Sequence, residues 1–277
     1  MLRLLTVAGS DSGGGAGIQA DIKTFTALGA FGMSAVTAVT AQDTQGVSGV
    51  WELPPDSVSE QIRVVAQDLG VDAVKVGMLA SAPLVAAVAA ALVRYLPDCP
   101  IVVDPVMQAK GGHALLATDA VAELRRSLLA RATVVTPNLP EATALVGFAV
   151  KTVADQVRAG QQILADGPAW VLVKGGHGTG ADIVDHLAGP EPQDYRHPRI
   201  ATPHTHGTGC TLSSAIAVGL ARGLTVPQAV DLAERYVAGA IRHAPGLGHG
   251  HGPLNHLWAL HAAEGAGFTN SAPSAGT

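Results

Sequence analysis

The stretch Thr205 to Thr211, THGTGCT, runs glycines into a hydroxyl and a thiol directly ahead of the helical pattern LSSAIAVGLA. Gly207 and Gly209 let the backbone turn so that several N–H groups face one point, and the helix that follows adds its positive N-terminal end. Such a turn is a cradle for an anion. Cys210 stands at its mouth, where the same field is expected to favour a thiolate and lower the pKa, which suits a nucleophile or a base. The plainer reading is a capped loop before a buried helix, with Cys210 as a small apolar filler.

Four further stretches carry groups that an anion-transfer site would use. GSDSGGGAGIQAD, Gly9 to Asp21, puts dense glycine at a strand-to-helix junction, where a ligand can approach the backbone closely. Gly15, Gly17 and Ala20 match the dinucleotide fingerprint literally, with Asp43 as a candidate ribose-binding acid, but the glycines begin too far beyond the first apolar run. No Gly-Lys-Ser/Thr occurs, so a Walker A loop is excluded. In TPNLPEA, Asn138 and Glu141 offer an amide oxygen and a carboxylate to a hard cation if Pro140 starts a helix. Alternatively, Asn138 caps that helix and Glu141 complements its dipole. IVVDPVMQAKGG sets Asp104 at a strand end and Lys110 in a glycine-rich loop; VLVKGGHGTG sets Lys174 and His177 after a buried run. His249 and His251 in LGHGHGP lack a third ligand nearby in sequence and read as part of a flexible glycine loop.

The elements that must position these groups alternate between short β-rich runs and longer helical patterns. LRLLTVA, DAVKVG, IVVDP, TVVTP and AWVLVK predict buried parallel strands; the segments between them predict covering helices, so the fold class is α/β with helices on both faces. MSAVTAVTA and GVSGVWEL follow one another around QDTQ without a helix between them, and DIVDHLAGPEPQDYRHPRI reads as a hairpin with a Gly-Pro turn. Both are expected at edges or as a small β flap. Two helices near 210–222 and 226–243 and a short one near 254–263 complete the pattern. Nothing divides the chain into two cores, so residues 1–263 are expected to form a single domain, and the small, polar segment 264–277 a disordered tail.

Composition narrows the function classes. A net charge of −5 at pH 7 gives no global basic field for nucleic acid or an anionic membrane, so any phosphate is held locally. The two cysteines, Cys99 and Cys210, do not form a disulfide framework, and Cys99 reads as structural. No apolar run spans a bilayer and the N-terminus does not read as a signal peptide, so a cytoplasmic protein is expected.

Taken together, AGSDSGGGAGIQADIKTFTALGAFGMSAVTAVTAQDTQGV, VKVGML, VVDPVM, TPNLPEA, VLVKGGH and THGTGCTLSSAIA resemble the hydroxymethylpyrimidine and phosphomethylpyrimidine kinases of thiamine biosynthesis, within the ribokinase-like superfamily. The resemblance runs from Leu4 to about Pro253 with the motifs in the family's order. It implies a three-layer α/β/α sandwich, ATP and Mg2+ as cofactors, and a homodimer. It assigns Gln42 to the aminopyrimidine edge, with Gly9, Asp21, Met78 and Val106 lining the same pocket. Asn138 and Glu141 would organise magnesium with ATP, Asp104 would support it, and Lys174 would fall near the nucleotide; on the reading of its own glycine-rich loop, Lys110 could cover phosphate oxygens. Cys210 would orient or deprotonate the substrate CH2OH while Gly207, Thr208 and Gly209 hold the moving phosphoryl group. His204 replaces the asparagine common before the final motif, and the loop after Lys110 reads GGHALL where Ser-Gly-Asp is frequent.

Three readings compete. A pyridoxal kinase of the same superfamily shares the GxGC ending, but Gln42 argues for the pyrimidine. An NAD-dependent oxidoreductase would use Gly15, Gly17 and Ala20. A non-catalytic pyrimidine sensor would keep Gln42 and lose the cradle.

Overall fold

Strands buried on both faces must alternate their side chains between two apolar layers, and this chain does so along its central strands apart from buried Thr6 and Lys75. The computed structural model describes residues 1–108, 112, 115–117, 119–178 and 180–263. Lys110 and the tail 264–277 lie outside the described residues.

The elements are β1 (Arg3–Asp11), α1 (Gly17–Ala27), β2 (Phe31–Gln42), β3 (Val47–Glu52), α2 (Pro55–Asp68), β4 (Ala73–Val76), α3 (Ala82–Tyr95) and β5 (Ile101–Val103). There follow α4 (Ala120–Glu123), which continues through irregular helical turns to Arg131, then β6 (Val134–Val135), α5 (Leu139–Val146), α6 (Val153–Leu164) and β7 (Trp170–Val173). A hairpin of β8 (Asp182–Ala188) and β9 (Gln193–Pro198) precedes α7 (Thr208–Ala221), α8 (Val226–Arg242) and α9 (Trp258–Ala263). The sheet order is β3-β2-β1-β4-β5-β6-β7-β8-β9. The six strands from β2 to β7 pair in parallel, while β3, β8 and β9 add antiparallel edges. The two edge units expected from sequence are therefore extensions of the main sheet.

One apolar layer joins Leu5, Val7, Val74, Val76, Ile101 and Val103 to the helices α2, α3, α5 and α6 through Val58, Ile62, Leu84, Leu145 and Ile163. The other joins Leu4, Ala73, Val102, Val134 and Leu172 to α1, α7 and α8 through Phe25, Ile216 and Val230. This is the three-layer α/β/α arrangement. The helix α2 was not anticipated from sequence, although Pro55 at its first turn and buried Val58 and Ile62 four apart carry the signal.

Candidate active site

The chain leaves β1 toward β2 on one side, while β4 joins β1 on the other, so the loops beyond their carboxyl ends diverge and open a crevice. A cavity of about 630 Å³ occupies that crevice, and it extends along the ends of β5, β6 and β7 to the β8–β9 hairpin. Of the residues singled out in the sequence, Gly9, Gln42, Met78, Val106, Asp104, Asn138, Glu141, Lys174, His177 and Gly207 to Cys210 all line it.

Asp21 does not. It is fully buried beneath the floor, where its carboxylate accepts from Thr6 Oγ1 at 2.6 Å, Ser214 Oγ at 2.7 Å and Lys75 Nζ at 2.9 Å. Lys75 lies between Asp21 and the cavity and lines it. Burial opposes this ammonium, but the neighbouring carboxylates, Asp21 first and Asp104 after it, outweigh burial and raise its pKa. Lys75 sits in the strand VKVG, and its alternation with buried valines gave no sign that a cation belonged there.

The cradle forms as its glycines require. Gly207 caps α7 at φ +82°, and a Cβ there would stand 1.8 Å from the carbonyl oxygen of Gly15. The first intrahelical bond runs from Thr211 N to Gly207 O, so the amides of Gly209 and Cys210 precede the helical ladder and meet the cavity. A Cβ on Gly209 would lie 3.2 Å from Lys174 Nζ and 3.3 Å from Asp104 Oδ2, which places the cradle directly against an ion pair. In that pair Lys174 Nζ donates to Asp104 Oδ1 at 2.8 Å, and Thr136 Oγ1 donates to the same oxygen at 3.1 Å. Although burial opposes its charge, Asp104 and then Glu141 hold the Lys174 pKa above the ordinary lysine range. Lys174 is thus a fixed counter-charge rather than a solvated loop residue.

The thiol departs from expectation. Burial pushes the Cys210 pKa up to about 11; Lys75 opposes the rise, and Asp21 and Asp104 add to it. Burial and the two carboxylates outweigh Lys75 and the Gly17 amide, so the neutral thiol is favoured at pH 7, against the lowered pKa expected from the sequence. Cys99 is inert as expected, with its thiol pushed up to about 12 by burial.

Asn138 and Glu141 form a reciprocal cap on α5: Glu141 N donates to Asn138 Oδ1 at 2.9 Å, and Asn138 N donates to Glu141 Oε2 at 2.8 Å. The structure shows the capping reading, and the cap leaves each side-chain oxygen a second acceptor position. Burial chiefly, with repulsion from Asp104, raises the Glu141 pKa despite nearby Lys174. Two buried carboxylates thus face one ammonium, and a hard cation suits that imbalance.

On the His206 side of the cradle, β2 has a bulge between Ala41 and Gln42, which ends its regular pairing at the pocket. Gln42 Oε1 accepts from Thr40 Oγ1 at 3.1 Å, and Gln42 Nε2 lies 3.5 Å from His206 Nε2. His206 in turn pairs with Asp11 at 2.8 Å. The Asp11 carboxylate also accepts from the amides of Gly13, Gly15 and Ala16. Burial opposes its ionisation, but His206 and then those amides hold its pKa below the usual carboxylate range. Asp11 thereby consumes the N–H groups that a dinucleotide pyrophosphate would need at the start of α1, and Asp43 is spent capping the turn at Gln45 and Gly46. The NAD-dependent reading fails on these two observations. Neither Asp11 nor His206 had been singled out from sequence, although both sit inside the glycine motifs.

His249 and His251 stand in a turn held to Thr44 by the amides of His249, Gly250 and His251, and His251 Nδ1 lies 3.0 Å from Pro203 O. They make no metal cluster among the described residues.

A sequence model of the phosphomethylpyrimidine kinase family matches residues 11–255. The chain is 56% identical over 258 residues to the hydroxymethylpyrimidine/phosphomethylpyrimidine kinase of Streptomyces coelicolor, covering 93% of this chain and 95% of that one. In three dimensions it resembles a Bacillus subtilis pyridoxal kinase solved with ADP, at TM-score 0.87 and 36% identity over 94% of this chain and 99% of the other. It also resembles the phosphomethylpyrimidine kinase of Clostridium difficile, at TM-score 0.77 and 43% identity over 87% and 100%. The cradle, the buried ion pair and the sequence match agree, and the chain belongs to the phosphomethylpyrimidine kinase family, with the ribokinase-like fold of its structural neighbours.

Proposed function

We propose that this chain transfers the terminal phosphoryl group of ATP to the CH2OH of 4-amino-5-hydroxymethyl-2-methylpyrimidine, and then phosphorylates the monophosphate to the diphosphate, in thiamine diphosphate biosynthesis. The observation that carries this reading is a cavity in which Gln42 stands beside His206, directly before the Gly207–Cys210 turn, and that turn abuts Asp104 and Lys174. Gln42 offers a donor and an acceptor to an aminopyrimidine edge, with Gly9, Met78 and Val106 as the walls. The amides of Gly209 and Cys210, with Thr208, stabilise charge on the moving phosphoryl group; Cys210 accepts or orients the alcohol proton. With its pKa raised, the thiol orients the alcohol, and it accepts the alcohol proton only in its thiolate form, which Lys75 favours.

Mg2+ fits the oxygen set of Asp104, Asn138 and Glu141, which would hold it directly or through water; when bound it neutralises nucleotide phosphate. Lys174 stays beside it as the counter-charge to Asp104, and Lys110 extends the phosphate contacts. One kinase domain over residues 1–263, a cytoplasmic location and a homodimer belong to the same reading. For the dimer, the cross-strand pair Val39 and Trp51 on the β2–β3 edge supplies an apolar surface, with Trp51 61% exposed. Sedimentation should give twice the chain mass, reduced to one in Trp51→Glu; a wild-type monomer discards the dimer.

The deciding experiment measures ATP consumption with hydroxymethylpyrimidine, its monophosphate and pyridoxal side by side. Both pyrimidines should turn over with higher kcat/KM than pyridoxal, and Gln42→Leu should cost the pyrimidines about 10- to 100-fold through two lost hydrogen bonds. Preferential turnover of pyridoxal, which the likeness to pyridoxal kinases makes the second reading, would overturn the substrate assignment.

A further inference from the structure

Beyond the cradle, three side chains that sequence reasoning did not single out meet in the cavity wall where the β8–β9 hairpin faces α8: Asp185, His197 and Glu234. In the hairpin register Asp185 is opposite Tyr195, so His197, two residues on, shares its face, while His186 points the other way and pairs with Asp194. One oxygen or ring nitrogen from each of the three lies within 4.8 Å of the others. His197 Nε2 stands 3.4 Å from Glu234 Oε2 and 3.9 Å from Asp185 Oδ2.

Hydrogen bonds leave two of these atoms open. His197 Nε2 and Glu234 Oε1 are buried atoms without a hydrogen-bond partner among the described residues, and such groups normally have one. Asp185 is itself 5% exposed, and its Oδ1 accepts the Gly175 amide, which leaves Oδ2 toward His197. Among the described residues no lysine or arginine pairs with either carboxylate within 4.0 Å. Burial and then Asp185, by its charge and by a hydrogen bond, raise the Glu234 pKa, and Lys174 opposes the rise only in part.

We propose that Asp185, His197 and Glu234 form a second cation site, separate from the Asp104, Asn138 and Glu141 set, that binds a divalent transition ion of the zinc class. Ligands about 2.0–2.2 Å from a tetrahedral zinc stand about 3.4 Å apart; His197 and Glu234 already have that spacing, Asp185 is wider from His197 at 3.9 Å, and the cavity offers a fourth position for water or a ligand oxygen. The imidazole is the discriminating ligand. Magnesium prefers oxygen throughout, whereas a nitrogen with two carboxylates suits zinc, cobalt or nickel. Through Asp185 and its bond to Gly175, an ion here would also brace the turn that follows Lys174. The assignment stands on this cluster alone and does not depend on the substrate proposed above.

The test is a titration of the chelator-stripped, full-length chain with Co2+, read by visible absorption. One equivalent should give the intense bands of a four- or five-coordinate ion, displaced by Zn2+ and not by excess Mg2+. Each of His197→Ala and Glu234→Gln should weaken binding at least tenfold, a loss that even outer-sphere changes reach, while Asp104→Asn and His251→Ala should leave the bands in place. Circular dichroism reports folding of each variant; should Glu234→Gln not fold, His197→Ala carries the comparison, because that ring is part-exposed. No bands in the folded wild-type chain, bands that survive His197→Ala, or bands lost in Asp104→Asn would each overturn the site.

Discussion

At the residue scale, Cys210 shows two effects of similar origin in opposition. A helix N-terminus favours a thiolate, but the charges of Asp21 and Asp104 act on the same part-buried thiol, and desolvation with those charges raises its pKa. Two consequences follow for measurement. Cys210→Ala should lower kcat about 100-fold or more with little change in KM, the usual loss for a positioned proton acceptor; unchanged turnover removes the thiol from the chemistry. In the ligand-free protein, alkylation of the Cys210 peptide, followed by mass spectrometry, should be slow near pH 7 and rise about tenfold per pH unit toward a plateau near 11. A plateau near neutrality would show that the helix field dominates after all.

At the element scale, the start of α7 depends on one left-handed glycine pressed against another loop. A methyl at Gly207 meets both a φ of +82° and the Gly15 carbonyl, whereas Gly147, at φ +77° after α5, has open space around it. Gly147→Ala should therefore cost only conformational strain, about 1 kcal/mol, while Gly207→Ala should cost about 3 kcal/mol or more, because Gly15 or α7 must move. Calorimetry checks this: Tm should fall by roughly 2–4 °C per kcal/mol, so the Gly207 variant should melt several degrees below the Gly147 one. Equal melting points would mean that the α1 loop yields freely. The α5 cap belongs at this scale too, because Asn138 and Glu141 both start a helix and present oxygens to the cavity.

At the scale of the whole molecule, charge buried under the cavity ties stability to pH. The Glu141 pKa rises in the folded chain to about 7, so the native state binds more protons than the unfolded state above the ordinary carboxylate range. The stability this contributes is complete below about pH 4.5, the unfolded value, and is lost as pH rises toward 7. Glu141→Gln keeps a capping side chain and carries no charge. Its Tm should exceed that of the wild type at pH 8, and the gap should close by pH 5; a gap that widens toward acid would reverse the sign and refute the assignment. Saturating Mg2+ with ATP should narrow the gap at pH 8, because a cation relieves the wild type alone.

The sequence by itself determined the layers and most of the cavity wall. Alternation of β-rich runs with helical patterns fixes a parallel sheet covered on both faces, and glycine motifs at strand ends mark where a ligand meets backbone. These are local signals, written in neighbouring residues. It did not determine the protonation of Cys210, the placement of Asp21 beneath the floor, or the meeting of Asp11 with His206 and of Asp185 with His197 and Glu234. Those depend on which side chains from distant segments share one low-dielectric space and which of them lose water. That space exists only after the sheet has closed under α7 and α8, so only the tertiary structure decides them.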